Sequence, residues 1–158
     1  MSTRPGVAPI PTASHHGTPA LVPDAPRARR GVIDTSVVID LERLEAAQLP
    51  LELAVSAITM AELAAGTHAT IDAEERARRQ DRLQRAEAAF DPLPFDAGAA
   101  RAYGRICAAQ LDSGRKARDT RAADRLIAAT ASAADLPIYT RNPDDFQHLQ
   151  GLVHVVAV

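Results

Sequence analysis

The chain contains no tryptophan, and aromatic residues make up only 3% of it. That scarcity argues against base stacking on aromatic platforms as the main mode of any nucleic-acid binding. Its 158 residues are enough for one domain with a sizeable core, which must then be built from Ala, Val, Leu and Ile. Cysteine is nearly absent as well. Cys107 is the only one, so no intramolecular disulfide can form, and a reducing cytoplasm is the expected setting. In RICAA it reads as a small core-facing helix residue, with no local histidine to activate a thiol. No stretch approaches the ~20 apolar residues that span a bilayer, and the N-terminus lacks the long apolar run of a signal peptide. Several chemical signatures are also missing. There is no Walker A sequence and no G-x-G-x-x-G for a dinucleotide. There is no G-x-S-x-G for a serine hydrolase and no His/Cys cluster at zinc spacing.

What is present is charge of both signs, unevenly spread. The net charge is -2. Residues 32–95 hold six arginines against twelve acids, whereas residues 96–125 hold seven basic residues against four. An acidic region beside a basic one is compatible with a cation site next to a phosphate-binding surface. Ordinary solvated helices produce the same pattern. Six of the eleven prolines fall in the first thirty residues, where no hydrophobic period runs. Residues 1–30 therefore read as a Pro-rich disordered arm, and residues 31–158 as the folded domain.

Within that domain, short apolar runs alternate with helical patterns. Val32-Ile33-Asp34 reads as a buried strand ending in an acid, followed by a helix from about Val37 to Ala47 capped by Thr35 or Ser36. Leu53 to Ser56 predicts a second strand. Thr59 opens a short helix that Gly66 can end. A charged helix follows from Asp72 to Ala89, then a brief strand from Pro92 to Phe95. Asp96 caps a helix reaching Leu111. Arg121 to Ala134 is an Ala-rich helix, Pro137 to Thr140 a strand, Pro143 to Leu149 a short helix, and Leu152 to Val156 a last strand. This alternation predicts βαβ units and a mainly parallel sheet, whose functional groups gather beyond the carboxyl ends of the strands.

Four acids sit at the edges of these apolar units: Asp34, Glu62, Asp124 and Asp145. Each also has a purely structural explanation. Asp34 can cap the next helix, although Thr35 and Ser36 can do the same. Thr59-x-x-Glu62 matches a capping box. Asp124 complements a helix dipole, yet its apolar surroundings would make an unpaired carboxylate costly. Asn142-Pro143-Asp144-Asp145 is a model helix start, which accounts fully for Asp144 and leaves Asp145 open. Asp40 reads as solvent-facing. If the fold gathers several of these carboxylates, they repel unless a cation lies between them, and hard oxygen ligands suit Mg²⁺ or Mn²⁺. Metal-assisted hydrolysis is the chemistry left.

Four segments taken together carry a resemblance. They are Val32-Ile33-Asp34-Thr35-Ser36, then Ser56 to Leu63 (SAITMAEL), Ala123 to Ala131 (ADRLIAATA) and Tyr139 to Phe146 (YTRNPDDF). In this order they resemble PIN-domain ribonucleases, and most of all the VapC toxins of bacterial type II toxin–antitoxin modules, over residues 31–158. The resemblance implies a PIN-like three-layer α/β/α sandwich with a central mainly parallel sheet of four to five strands. It implies an acidic pocket binding Mg²⁺ or Mn²⁺, cleavage of RNA (tRNA or rRNA), inhibition by a cognate VapB-type antitoxin, and a homodimer. Asp34, Glu62 and Asp124 match the family's three most constant acids as metal ligands. Where many members carry a fourth acid this chain has Asn142, and Asp145, one helical turn on, can take its place. The resemblance also gives Arg115, Lys116, Arg118 and Arg121 a role as contacts to RNA phosphates.

Two rival readings remain at this level. One is a PIN-like module that holds RNA or protein without cleaving it. A receiver-like domain would need an acidic pair and a well-placed lysine, and Lys116 is the only lysine in the chain.

Overall fold

Successive residues of the first strand bury opposite faces. Strand β1 (Arg30–Ile33) sends Val32 into one apolar cluster and Ile33 into another, and both are fully buried. Ala54 and Val55 divide in the same way at the end of strand β2 (Glu52–Ala54). So do Ile138 and Tyr139 of strand β3 (Ile138–Thr140). Apolar side chains on both faces are what a parallel sheet needs when helices cover it on both sides.

The structure is a computed structural model and describes residues 27–112, 122–149 and 151–158. The expected arm lies outside the described residues up to position 26, as do Arg115, Lys116, Arg118 and Arg121. The described residues form a four-stranded sheet in the order β2-β1-β3-β4, with β4 at Val155–Ala157 and every pairing parallel. One helical layer consists of α1 (Thr35–Asp40), α2 (Ala57–His68) and α3 (Ala73–Ala89), whose Val37, Leu63 and Leu83 join the cluster around Ile33. The other consists of α4 (Ala97–Asp112) and α5 (Ala122–Ala133). Ala102, Ile106, Ile127 and Ala128 pack there with Val32 and with Phe146 from a 3-10 helix at Pro143–Leu149. The result is a three-layer α/β/α sandwich with four strands.

Strand order places the site. From β1 the chain crosses to β2 on one side and later returns to β3 on the other. The carboxyl ends of β1 and β3 therefore flank the point where the winding reverses, the usual crevice of such sheets. The seating of the Tyr139 ring of β3 against β1 depends on Gly31. A Cβ there would lie 2.6 Å from Cε2 of Tyr139, so the ring has its place only over a residue without a side chain.

The structure departs from the sequence reading at several ends. Helix α1 stops at Asp40 and gives way to two 3-10 turns, Leu41–Arg43 and Ala46–Gln48, separated by the extended Leu44. Helix α2 starts two residues earlier than expected, is capped by Ser56, and runs through Gly66. The strand expected at Pro92 to Phe95 is reduced to one parallel bridge between Leu93 and Ser56. Helix α5 closes in a Schellman arrangement: Leu136 N–H donates to Ala131 O at 3.0 Å and Asp135 N–H to Ser132 O at 3.2 Å, with Asp135 at φ 54°. Among the described residues no helix is long and apolar enough to cross a membrane.

Candidate functional site

Asp34 follows β1 directly and is only 4% exposed. It caps α1 itself, contrary to the expectation that Thr35 or Ser36 does so. Its Oδ1 accepts from Val37 N–H at 3.0 Å and from the Ser36 hydroxyl at 2.6 Å. Its Oδ2 accepts from the Thr140 hydroxyl at 2.5 Å, across the β1–β3 junction. An ionised carboxylate offers about four acceptor positions. Three are taken, so the remaining one belongs to Oδ2. Thr140 is itself fully buried and also accepts from Asn142 N–H at 3.0 Å, which fixes its hydroxyl toward Asp34.

Glu62 lies on α2, whose N-terminus emerges at the carboxyl end of β2. The capping box expected from Thr59 and Glu62 does not form. Ser56 Oγ accepts from Thr59 N–H at 3.0 Å instead, and Thr59 is fully buried. That shift of the cap by one turn releases Glu62 from the helix end. Its Oε2 accepts a hydrogen bond from the Thr35 hydroxyl. Thr35 is the residue after Asp34, so adjacent positions of one chain segment tie down the two acids.

Asp124 sits in the first turn of α5, where the helix dipole favours an anion. Because α5 feeds β3 and runs against the strand direction, that turn lies at the carboxyl end of the sheet. Asp124 is half-buried, with Oδ2 sealed from solvent. Next to it, Arg125 donates to Gln110 Oε1 of α4 at 2.8 Å. Asp145 has a different setting. It is exposed in the 3-10 helix after β3, and its N–H donates to Asn142 O at 3.1 Å, as expected of a helix start.

Asp40 is not merely solvent-facing. Its side chain is 19% exposed and pairs with Arg141, joining the end of α1 to the end of β3, and with Arg43 at 3.3 Å. A small cavity beside this pair is lined by Ser36, Ile39, Asp40, Arg141 and Asn142. A second one, on the other side of Ile39, is lined by Thr35, Glu62, Gly66, Glu75, Arg79 and Arg82.

The donors at this end of the sheet are carboxylate and hydroxyl oxygens, a set whose chemistry suits a hard divalent cation. Among the described residues, no three His, Cys, Asp or Glu side chains stand close enough to grip one ion together. Asp34 and Glu62 are linked through Thr35, Asp124 is at the same sheet end, and Asp145 is peripheral. The sequence reading had missed Thr35 and Thr140 as the groups that fix the acids. Thr140 carried a usable signal, a hydroxyl closing a buried strand.

Comparison with known proteins gives this geometry a family. The PIN-domain model matches residues 31–152. The chain is 38% identical over 131 residues to Ribonuclease VapC5 of Mycobacterium tuberculosis, covering 81% of this chain and 93% of that one. It is 34% identical over 128 residues to VapC ribonuclease Y4jK of Sinorhizobium fredii, covering 73% and 89%. Among solved structures, it is similar to VapBC-5 of Mycobacterium tuberculosis, a member of the VapBC family of toxin-antitoxin systems. That match has a TM-score of 0.73 and 36% identity, over 82% of this chain and 99% of the other. The chain belongs to the PIN-domain family and, within it, to the VapC ribonucleases.

Proposed function

We propose that this protein is a metal-dependent endoribonuclease and the toxin of a type II toxin–antitoxin pair, with its PIN domain over residues 31–158. The observation that carries the reading is the buried Asp34 carboxylate, immobilised by Val37, Ser36 and Thr140 with one acceptor position of Oδ2 to spare. A merely structural cap has no need of a third donor from a strand over a hundred residues away.

As they stand, no three acids among the described residues grip one ion, so Asp34, Glu62 and Asp124 would hold Mg²⁺ or Mn²⁺ by closing in on it, with Asp145 as the fourth acid on the β3 side. Once bound, the ion supplies positive charge that makes a water nucleophilic and offsets charge developing on a phosphodiester. The rest is done by the chain. Thr140 and Ser36 hold Asp34 in one orientation, so little reorganisation is needed as substrate arrives. Thr35 does the same for Glu62. A carboxylate of this set orients the attacking water by accepting its hydrogen bond. Arg115, Lys116, Arg118 and Arg121, which precede α5, hold RNA phosphates. The substrate is RNA, with tRNA or rRNA as target class. A cognate VapB-type antitoxin restrains the enzyme in the cytoplasm, and the protein works as a homodimer.

The test is cleavage of labelled RNA by purified protein with a chelator, then with Mg²⁺ or Mn²⁺ restored. Asp34→Asn and Asp124→Asn should each lower the rate by ~10²-fold or more. A folded Asp34→Asn variant that cleaves at the wild-type rate would sink the proposal and leave the non-cleaving binding module as the better reading.

A further inference from the structure

Arg82 is the arginine of α3 that nothing holds. Arg76 donates to Thr70 O at 2.9 Å, and Arg78 pairs with Glu74 and Glu75. Arg79 is clamped between Glu75 and Gly66 O, each at 2.8 Å, and Arg85 pairs with Asp81 and Glu42. Among the described residues no hydrogen bond or ion pair involves Arg82. Its position is nevertheless not that of a solvated surface charge. It is half-buried and lines a cavity of about 280 Å³ together with Thr35, Glu62 and Arg79. Of the two arginines lining that cavity, Arg79 is engaged by Glu75, which leaves Arg82 as the one with no ion-pair partner among the described residues.

We propose that Arg82 anchors a phosphate of the RNA strand next to the one presented to the carboxylates. This inference rests on the ribonuclease reading above. A polyanion brought to Asp34 and Glu62 meets repulsion that a nearby cation must offset. The planar guanidinium fork matches phosphate oxygens, and it approaches them with little desolvation cost when already half-buried. RNA fits better than an acidic protein segment for a geometric reason. Phosphates recur at every nucleotide, so a strand whose reacting phosphate reaches Glu62 necessarily places a neighbour close by. A protein carboxylate has no such obligation.

The experiment measures binding separately from cleavage. A short fluorescein-labelled single-stranded RNA is titrated by anisotropy against protein carrying Asp34→Asn, at several salt concentrations. Adding Arg82→Ala should weaken binding about tenfold. It should also flatten the salt dependence by roughly 0.7 in log–log slope, the share of one phosphate contact on a single strand. Arg82→Lys should keep the slope and recover part of the affinity, while Arg78→Ala on the outer face should change neither. Matching thermal melts show that each variant is folded. Unchanged affinity and slope for Arg82→Ala overturn the inference. So does a variant that binds RNA normally but loses a co-purifying antitoxin, which would reassign Arg82 to a protein contact. Residual cleavage by Asp34→Asn alone is read in the turnover assay, so failure of the catalytic reading stays distinguishable.

Discussion

The Thr140 hydroxyl donates to Oδ2 of Asp34 at 2.5 Å, although the two residues are 106 positions apart. Neither belongs to a surface network; Thr140 is fully buried and Asp34 nearly so. Replacing Thr140 by Val keeps the shape and removes one of the three donors to a buried carboxylate. We expect a loss of about 1.5–3 kcal/mol in denaturant unfolding. RNA cleavage should fall ~10-fold as Asp34 loses its fixed orientation. Thr140→Ser should recover most of both. Equal cleavage by the Val variant would show that Asp34 needs no such support.

Glu62 and Ser56 should separate cleanly. Ser56 caps α2, so Ser56→Ala should cost ~1 kcal/mol of stability. Glu62 makes no cap, so Glu62→Gln should leave the unfolding midpoint nearly unchanged and reduce cleavage by ~10²-fold. If Glu62→Gln instead destabilised the fold and spared activity, the capping explanation of this residue would be restored.

Gly31→Ala should destabilise the domain by about 1–3 kcal/mol, since the new methyl meets the Tyr139 ring at 2.6 Å. Combining it with Tyr139→Leu should remove most of the added penalty of the Ala substitution. Additive effects in this double-mutant cycle would deny the contact.

The Arg79 and Arg78 guanidiniums beside Glu75 hold its carboxyl below the ordinary glutamate range. A lowered folded value means that this clamp is fully present above the ordinary range and is lost as pH falls through the lowered one. Carbon NMR titration should show a Glu75 midpoint below that of a model glutamate, moving back toward it in Arg79→Ala and at high salt. The group is on the surface, so the effect on global stability should be slight.

Sheet strands were legible because Val32-Ile33 and Ile138-Tyr139 are apolar on both faces, a pattern that helices on either side make necessary. The acids were legible as candidates because each ends such a unit. Helix ends were not. Val37, Val38, Leu41 and Leu44 keep a helical spacing, yet Leu44 is extended, and only the route back to β2 explains why. For α2, Ser56 and Thr59 are equally good caps by sequence. The choice falls to Ser56 because its neighbour Ala57 is pinned by Leu93 O at 2.8 Å, a contact 36 residues away that no local rule contains. Thr35 and Thr140 escaped notice for the same reason: their importance lies in what they reach.

Central placement of β1, with β3 on one flank, has a consequence for when Asp34 can be held in place. Strand β1 is complete by Ile33, but the strand that carries its anchor, β3, begins only at Ile138, more than a hundred residues later. During synthesis Asp34 therefore emerges well before Thr140 and stays without this donor until β3 has been made. A ribosome translating this message carries the acid unanchored over that whole stretch, and its carboxylate is fixed only when β3 docks beside β1.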